Sequence, residues 1–387
     1  MTLSIDIAAL RRFEATAPAA PPAAPPAPVA GDLLLIGAGN SGETLAQRIC
    51  ALALGDGLRL AACGLNNDGL APRPLRVRTP DGGEELVELS ERLLFGGDNP
   101  RDRLRDEPLL ERRYALLLRG IPVFETFPRA GYGGHGHPVV SALDIDLNIG
   151  AVQTFRARRL RRVRGEDAVG GRSDWERLLA AHKRQSAVRS RRLRVVVLGG
   201  GSGSMGNAGH QLLPYLLRHL LREAGVTDYE LWGVVLGPQA FSGLTPYTRH
   251  NYRALIQALD RLTRDGQRRA YLNDLEIAIQ APPYDRVFLL DDPTLGGGDG
   301  RVAEADLERF LDRAALSLSL ILARGTVWPT IASHLANDDV SGSDGRMRYL
   351  HTVRAAMADV DRPQLTAALA DRLEVAALDA LAGRLAQ

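Results

Sequence analysis

Short β-branched apolar runs recur along the chain, each followed by a polar or glycine-rich turn and then by a longer stretch with leucines at helical spacing. Residues 33–36, 58–63, 121–127, 194–198, 229–236 and 286–290 read as strands. Residues 43–54, 108–118, a segment from about 139, 211–222, 248–262 and 303 to about 336 read as helices. The clearest is 211–222, where Leu212, Leu213, Leu216, Leu217, Leu220 and Leu221 form one apolar face. The leucines of 86–94 fit one more helix, and 347–387 reads as helical with a break near Pro363 and no strand pattern. Strands alternating with helices predict an α/β fold: a three-layer Rossmann-like parallel sheet with helices on both faces, followed by a long core helix and a helical C-terminal tail. Ligands of such sheets bind at the carboxyl ends of the strands.

Composition narrows the class without changing this picture. The 387 residues carry 48 Lys and Arg against 46 Asp and Glu, a net charge of +2, so no bulk field draws the chain to nucleic acid or a membrane. Residues 17–30 are almost all Pro and Ala, a stiff linker behind a short N-terminal helix. The expected organisation is therefore an N-terminal segment and linker at 1–31, a nucleotide-binding domain at 32–340 and a helical extension at 341–387. Residues 156–193 are an arginine-rich insertion with no interleaved aromatic platform, which reads as a solvated face rather than a nucleic-acid surface. Cys50 and Cys63 fit a reduced, cytoplasmic compartment. Neither a leader pattern nor an apolar run of membrane-spanning length is present in the sequence.

Candidate chemistry lies in the turns. Residues 195–210 run Val-Val-Val-Leu-Gly-Gly-Gly-Ser-Gly-Ser-Met-Gly-Asn-Ala-Gly-His: strand, glycine-rich turn, helix. Backbone N–H groups at Gly199, Gly200, Gly201, Ser202, Gly203, Ser204, Met205 and Gly206 can converge on one anion, because no Cβ intervenes and the helix N-terminus adds positive charge. The plain alternative is a flexible turn without a ligand. A second junction, Gly37-Ala38-Gly39-Asn40-Ser41-Gly42, has the spacing of a dinucleotide fingerprint. The next strand ends in Leu65-Asn66-Asn67-Asp68, where Asp68 could hold a ribose, organise Mg²⁺ through water, or close an Asx turn. A third glycine turn contains Gly131, Gly133 and Gly134 beside His135 and His137, a weak metal pattern without a third ligand. A P-loop is disfavoured: no G-x-x-x-x-G-K-[ST] occurs, and Lys183, the sole lysine, lies in no glycine turn.

The run from Gly199 to Ser204 resembles the G-G-G-T-G-[ST]-G signature of the tubulin/FtsZ family, with Ser202 for Thr and Met205 inserted before Gly206. The order of the other turns is similar too: Gly37–Gly42 for the first nucleotide loop, Asn66 to Asp68 for the second, Ala130 to Gly136 for the third, and Phe241-Ser242-Gly243 for the ribose loop. Leu289 to Leu295 resembles the base-reading segment and Asn337-Asp338-Asp339 the N-x-D motif after the core helix. The likeness covers about 32–340 and is to divergent bacterial tubulin-like proteins rather than to cell-division FtsZ.

This resemblance implies a GTP- or GDP-binding cytoskeletal protein, with Mg²⁺ at Asp68, guanine read by Asp292, head-to-tail self-association, and a weak GTPase completed at a subunit contact by Asp339 or Asp344. Three departures stand against the family pattern: Asp292 replaces Asn, Ser242 replaces Glu, and the position three residues after Asp339 is Gly342. No pattern of the family's second domain is read in 341–387, as expected either of a shortened relative or of a truncated sequence. A Rossmann-type NAD(P)-binding oxidoreductase using Gly37 to Gly42, or a non-hydrolysing nucleotide-binding scaffold, are the alternatives.

Overall fold

A computed structural model of the chain describes residues 33–58, 60–89, 92–95, 100–119, 121, 134–149, 193–223, 225–243, 246–272, 275–292, 295, 302–322 and 350–353. All belong to the compact unit Pro28–Ala355. In chain order the elements are β1 (Leu33–Ala38), α1 (Gly39–Gly55), β2 (Ala61–Asn66), β3 (Leu75–Arg78), β4 (Glu84–Val87), β5 (Arg92–Leu94), α2 (Pro100–Asp106), α3 (Pro108–Leu118) and α4 (Pro138–Leu147). Then follow β6 (Leu193–Gly200), α5 (Ser204–Glu223), β7 (Tyr229–Leu236), a 3₁₀ turn (Gln239–Phe241), α6 (Thr248–Asp265), β8 (Gln267–Ala270), β9 (Glu276–Ile279), β10 (Arg286–Leu290), α7 (Glu304–Leu322) and β11 (Leu350–Val353).

Among the described residues, seven strands form one parallel sheet in the order β5-β2-β1-β6-β7-β10-β11. This is the Rossmann order 3-2-1-4-5-6 with a seventh strand added at the edge. The order reverses between β1 and β6, which pair from Leu33↔Arg194 to Ala38↔Gly199. Alternate residues of each strand face opposite layers. Leu33, Leu35, Val196, Leu198, Val234 and Phe288 pack with α1 and α7, through Leu45, Ile49, Phe310 and Leu318. Leu34, Ile36, Val195, Val197, Val235 and Val287 pack with α5 and α6, through Leu212, Leu216, Leu255 and Leu259. The three-layer α/β expectation thus holds.

Several expectations change. Residues 86–94 are not a helix: Glu84–Val87 pairs antiparallel with Leu75–Arg78, and Arg92–Leu94 joins the sheet edge beside β2. Their leucine spacing imitates a helix, yet Glu84–Val87 alternates exposed and covered residues and follows a hairpin turn at Gly82 and Gly83. The second strand lies three residues later than expected, because pairing from Leu34↔Ala61 to Ala38↔Leu65 sets its register. Both helices behind the glycine turns begin earlier, at Gly39 and Ser204, so packing overrides the poor helix propensity of Gly and Ser. Within the expected helical tail, Leu350–Val353 is a strand parallel to β10, from Val287↔Leu350 to Leu290↔Val353. Residues 122–127 of the strand expected at 121–127, the insertion at 156–192, the expected core helix beyond Leu322, residues 1–31 and the rest of 341–387 lie outside the described residues.

Candidate functional site

Because β1 and β6 are neighbours, α1 and α5 start side by side at the carboxyl edge of the sheet. A Cβ placed on Gly39 would lie 3.3 Å from the amide nitrogen of Gly206 and 3.3 Å from Cβ of Met205. Ala38 caps α1 in an extended conformation without a side-chain hydrogen bond. Neither helix has an acidic residue in its first turn. Two helix N-termini with uncompensated positive ends therefore abut, an arrangement suited to an anion.

The glycines there have different reasons to be glycine. A Cβ on Gly42 would fall 2.2 Å from the carbonyl oxygen of Leu198, and one on Gly206 would fall 2.5 Å from that of Gly200. These two let a helix lie against β6 backbone. At Gly203 an added Cβ would meet only the Gly200 oxygen, at 4.0 Å. No packing within the described residues forbids a side chain at Gly203.

Side chains hold the turn in shape. Asn207 Nδ2 donates to the carbonyls of Gly201 (2.7 Å) and Asn251 (2.8 Å), and Asn251 Nδ2 donates to those of Ser202 (3.0 Å) and Gly136 (2.6 Å). Asn251 thus ties the third glycine turn to the central one. Gly134 lies close against α4 and α5: its Cβ position is 2.6 Å from Ser141 Oγ and 2.7 Å from Ser204 Oγ. The Ser202 hydroxyl is buried, with no hydrogen-bond partner among the described residues. Behind the turn, His210 bridges the Gly199 carbonyl (3.3 Å) and the Tyr284 hydroxyl (2.9 Å), and burial lowers its pKa to about 4, leaving it neutral.

The second strand ends beside the first junction. Asn40 Nδ2 donates to Asp68 Oδ2 (3.0 Å), and Asn66 Nδ2 donates to Asn40 Oδ1 (2.5 Å). Asp68 Oδ1 accepts from the Leu70 amide (3.0 Å), so the Asx turn is also present. Asn67 Nδ2 donates to Ser141 Oγ (3.0 Å) and Asp144 Oδ2 (2.6 Å). Asp144 is buried, and desolvation raises its carboxyl to about 6 against the hydrogen bond from Asn67.

At the ends of β7 and β10, Asp291 Oδ1 accepts from the amides of Gln239 (3.1 Å) and Asp292 (3.1 Å), and burial raises its pKa. Asp292 faces α7, with Oδ2 3.8 Å from Arg313 Nη1. Ser242 closes the 3₁₀ turn through its amide, donating to Gln239 (3.1 Å). Phe241 of that turn lies against Gly200, its Cζ 3.0 Å from the Cβ position.

Residues 37–42, 66–68, 134, 199–206, 242 and 292 all fall at the carboxyl edge of the sheet, after β1, β2, β6, β7 and β10 or at the start of α4. Gly131, Gly133, Asp339 and Asp344 lie outside the described residues. His137 packs against Tyr247 with ring centroids 5.1 Å apart, and its pKa is lowered by burial and by His135. Among the described residues no group of three or more His, Cys, Asp or Glu could hold a metal ion. A lone Asp68 suits a cation that keeps most of its waters and takes its other ligands from a bound phosphate. Sequence reasoning missed Glu43, Arg92, Asp144, Asn207, Asn251 and Asp291. Only Asn207 carried a signal, as a polar residue directly after the glycine turn.

No protein-family model and no curated protein matches the chain. Solved structures that it resembles include a GTPγS-bound protofilament of CetZ2 from Haloferax volcanii, with 18% identity over 80% of this chain and 63% of that one, at a TM-score of 0.40. CetZ1 from Haloferax volcanii, as a GDP-bound monomer, matches with 12% identity over 79% and 64%, at 0.42. CetZ from Methanosaeta thermophila matches with 10% identity over 80% and 56%, at 0.38. The chain thus spans about six-tenths of the length of these structures. Overlaps this loose carry no argument about activity. Among the described residues no helix is long and apolar enough to cross a membrane.

Proposed function

We propose that the chain is a guanine-nucleotide-binding protein of the tubulin/FtsZ type, with the phosphates over the N-termini of α1 and α5. The observation that carries this reading is Gly203. It is a glycine in the middle of an anion-suited turn, open on the side where a Cβ would stand, and it follows a serine whose buried hydroxyl has no partner among the described residues. A phosphate oxygen accounts for both. In this reading the first-turn amides of the two helices and Ser202 bind phosphate. Asp68, held by Asn40, would hold a water-bound Mg²⁺, which would offset the negative charge of the phosphates. The Asp292 carboxylate accepts from N1–H and N2–H of guanine and disfavours adenine, which has no donor at N1.

Hydrolysis is assigned to Asp339 or Asp344 supplied across a head-to-tail contact, so turnover per molecule should rise with protein concentration. Absence of turnover at every concentration would leave a nucleotide-binding scaffold. Titration calorimetry with GTP, ATP and NADH tests the binding itself. GTP should bind tighter than ATP by about tenfold or more. Asp292→Ala should cost GTP about 1.5–3 kcal/mol, the worth of hydrogen bonds to a charged group, and leave ATP unchanged. Equal affinity for GTP and ATP in the unsubstituted protein would refute base reading by Asp292, and binding of NADH alone would favour the dinucleotide alternative.

A further inference from the structure

Glu43 lies one turn into α1 and is fully buried. Its carboxylate receives a fork from Arg92 on the edge strand β5: Nε donates to Oε1 at 2.9 Å and Nη2 to Oε2 at 2.8 Å. The pair fits because the β2 residue opposite Arg92 in the ladder is Gly64, where a Cβ would lie 2.2 Å from Oε1. Both ends of the pair reach the loop that carries Asp68. Glu43 Oε2 also accepts from Asn66 Nδ2 (2.9 Å), the group that donates to Asn40, and Asn40 in turn donates to Asp68. Arg92 Nη2 donates to the Leu70 carbonyl at 2.7 Å, beyond Asp68.

Residues 66–70 are therefore gripped before and after Asp68 by one ion pair. A buried pair adds little net stability over an apolar pair of similar volume, so stability alone does not account for it. A bidentate fork does fix geometry. We infer that the Arg92–Glu43 pair positions the second loop, and that Arg92 sets the Asp68 carboxylate for the cation of a bound nucleotide. The cation half of this inference rests on the nucleotide reading above; the loop half does not.

Arg92→Lys keeps the charge and removes the fork. Hydrogen exchange without nucleotide should show amides of 66–71 exchanging about tenfold faster, with β6 and β7 unchanged. In calorimetry, the gain in GTP affinity on replacing EDTA with Mg²⁺ should shrink about fivefold, while affinity in EDTA stays within about twofold. A merely structural role would weaken binding equally in both buffers and loosen β6 and β7 too. Unchanged exchange at 66–71, or equal losses with and without Mg²⁺, would overturn the inference. Should Arg92→Lys fail to fold, Glu43→Gln, which keeps the hydrogen-bonding shape and drops the charge, takes the same two measurements with the same expectations. If the unsubstituted protein binds no GTP in either buffer, the nucleotide reading and the cation half fail together, and exchange alone decides the loop half.

Discussion

Two alanine substitutions three residues apart separate folding from binding at the central turn. In Gly206→Ala the new methyl would stand 2.5 Å from the Gly200 oxygen and 2.6 Å from its nitrogen, both backbone atoms of β6. Neither can swing aside, so α5 must lift off the strand. Overpacking of this kind costs about 1–3 kcal/mol or more, against which better helix propensity in the first turn returns under about 1 kcal/mol. In Gly203→Ala the methyl meets nothing closer than 4.0 Å, and the φ of Gly203 lies outside the left-handed region. Restricting the unfolded chain there stabilises by roughly 0.4–1 kcal/mol. The same methyl would occupy the space assigned to a phosphate oxygen, for a loss of GTP affinity of about tenfold or more, near 1.4 kcal/mol. Urea denaturation and GTP calorimetry on both variants read these terms separately. Gly206→Ala should lose stability, whereas Gly203→Ala should keep it and lose nucleotide. GTP binding unchanged in Gly203→Ala would refute the phosphate cradle, and a Gly206→Ala variant as stable as the parent would refute the steric reasoning.

Two buried titratable groups give pH-dependent stabilities of opposite sense. Asp144 titrates near 6 when folded against an ordinary 3.8, so its contribution is fully present below about pH 4 and is lost as pH rises through 6, a swing of roughly 3 kcal/mol. Asp144→Asn should therefore gain up to roughly 3 kcal/mol over the parent in urea denaturation at pH 8 and nothing at pH 4; equal gains at both would refute the assignment. His210, lowered to about 4 from 6.5, contributes fully above 6.5 and loses that contribution as pH falls through 4, again roughly 3 kcal/mol. Thermal melts of His210→Gln should lose less between pH 7 and 4 than those of the parent.

How much of the fold was legible depended on which contacts define each element. Strands buried on both faces show as unbroken apolar runs, and residues 229–236 and 286–290 appear in the structure with the limits expected from the sequence. Residues 108–118 did as well, announced by Pro108 at the helix start. The strand after α1 was offset by three positions because Leu58 and Leu60 alternate about Arg59 as a strand would, and only pairing with β1 selects Ala61–Asn66. Hairpins β3–β4 and β8–β9 have four-residue strands with charged residues on the open face, too short for a period to show.

The turns of the candidate site were legible in the sequence, and what each of their residues touches was not. A glycine reads the same in a sequence whether it admits a neighbouring backbone, as at Gly42 and Gly206, or leaves room outward, as at Gly203; only the distance to the next atom tells them apart. The polar residues that shape the site were harder still. Asn251 is 44 positions after Asn207, and Arg92 is 49 after Glu43, with no local pattern joining them. Glu43 shows what this hides. Read alone, a glutamate one turn into a helix is a solvent-facing group that complements the dipole. In the structure it is buried and neutralised by Arg92, so its charge does not oppose an anion at the end of α1, and its second oxygen is committed to the loop that carries Asp68. In the proposed nucleotide reading, the positive end of the helix and the carboxylate of Asp68 then act on the same phosphate group, one directly and the other through its cation.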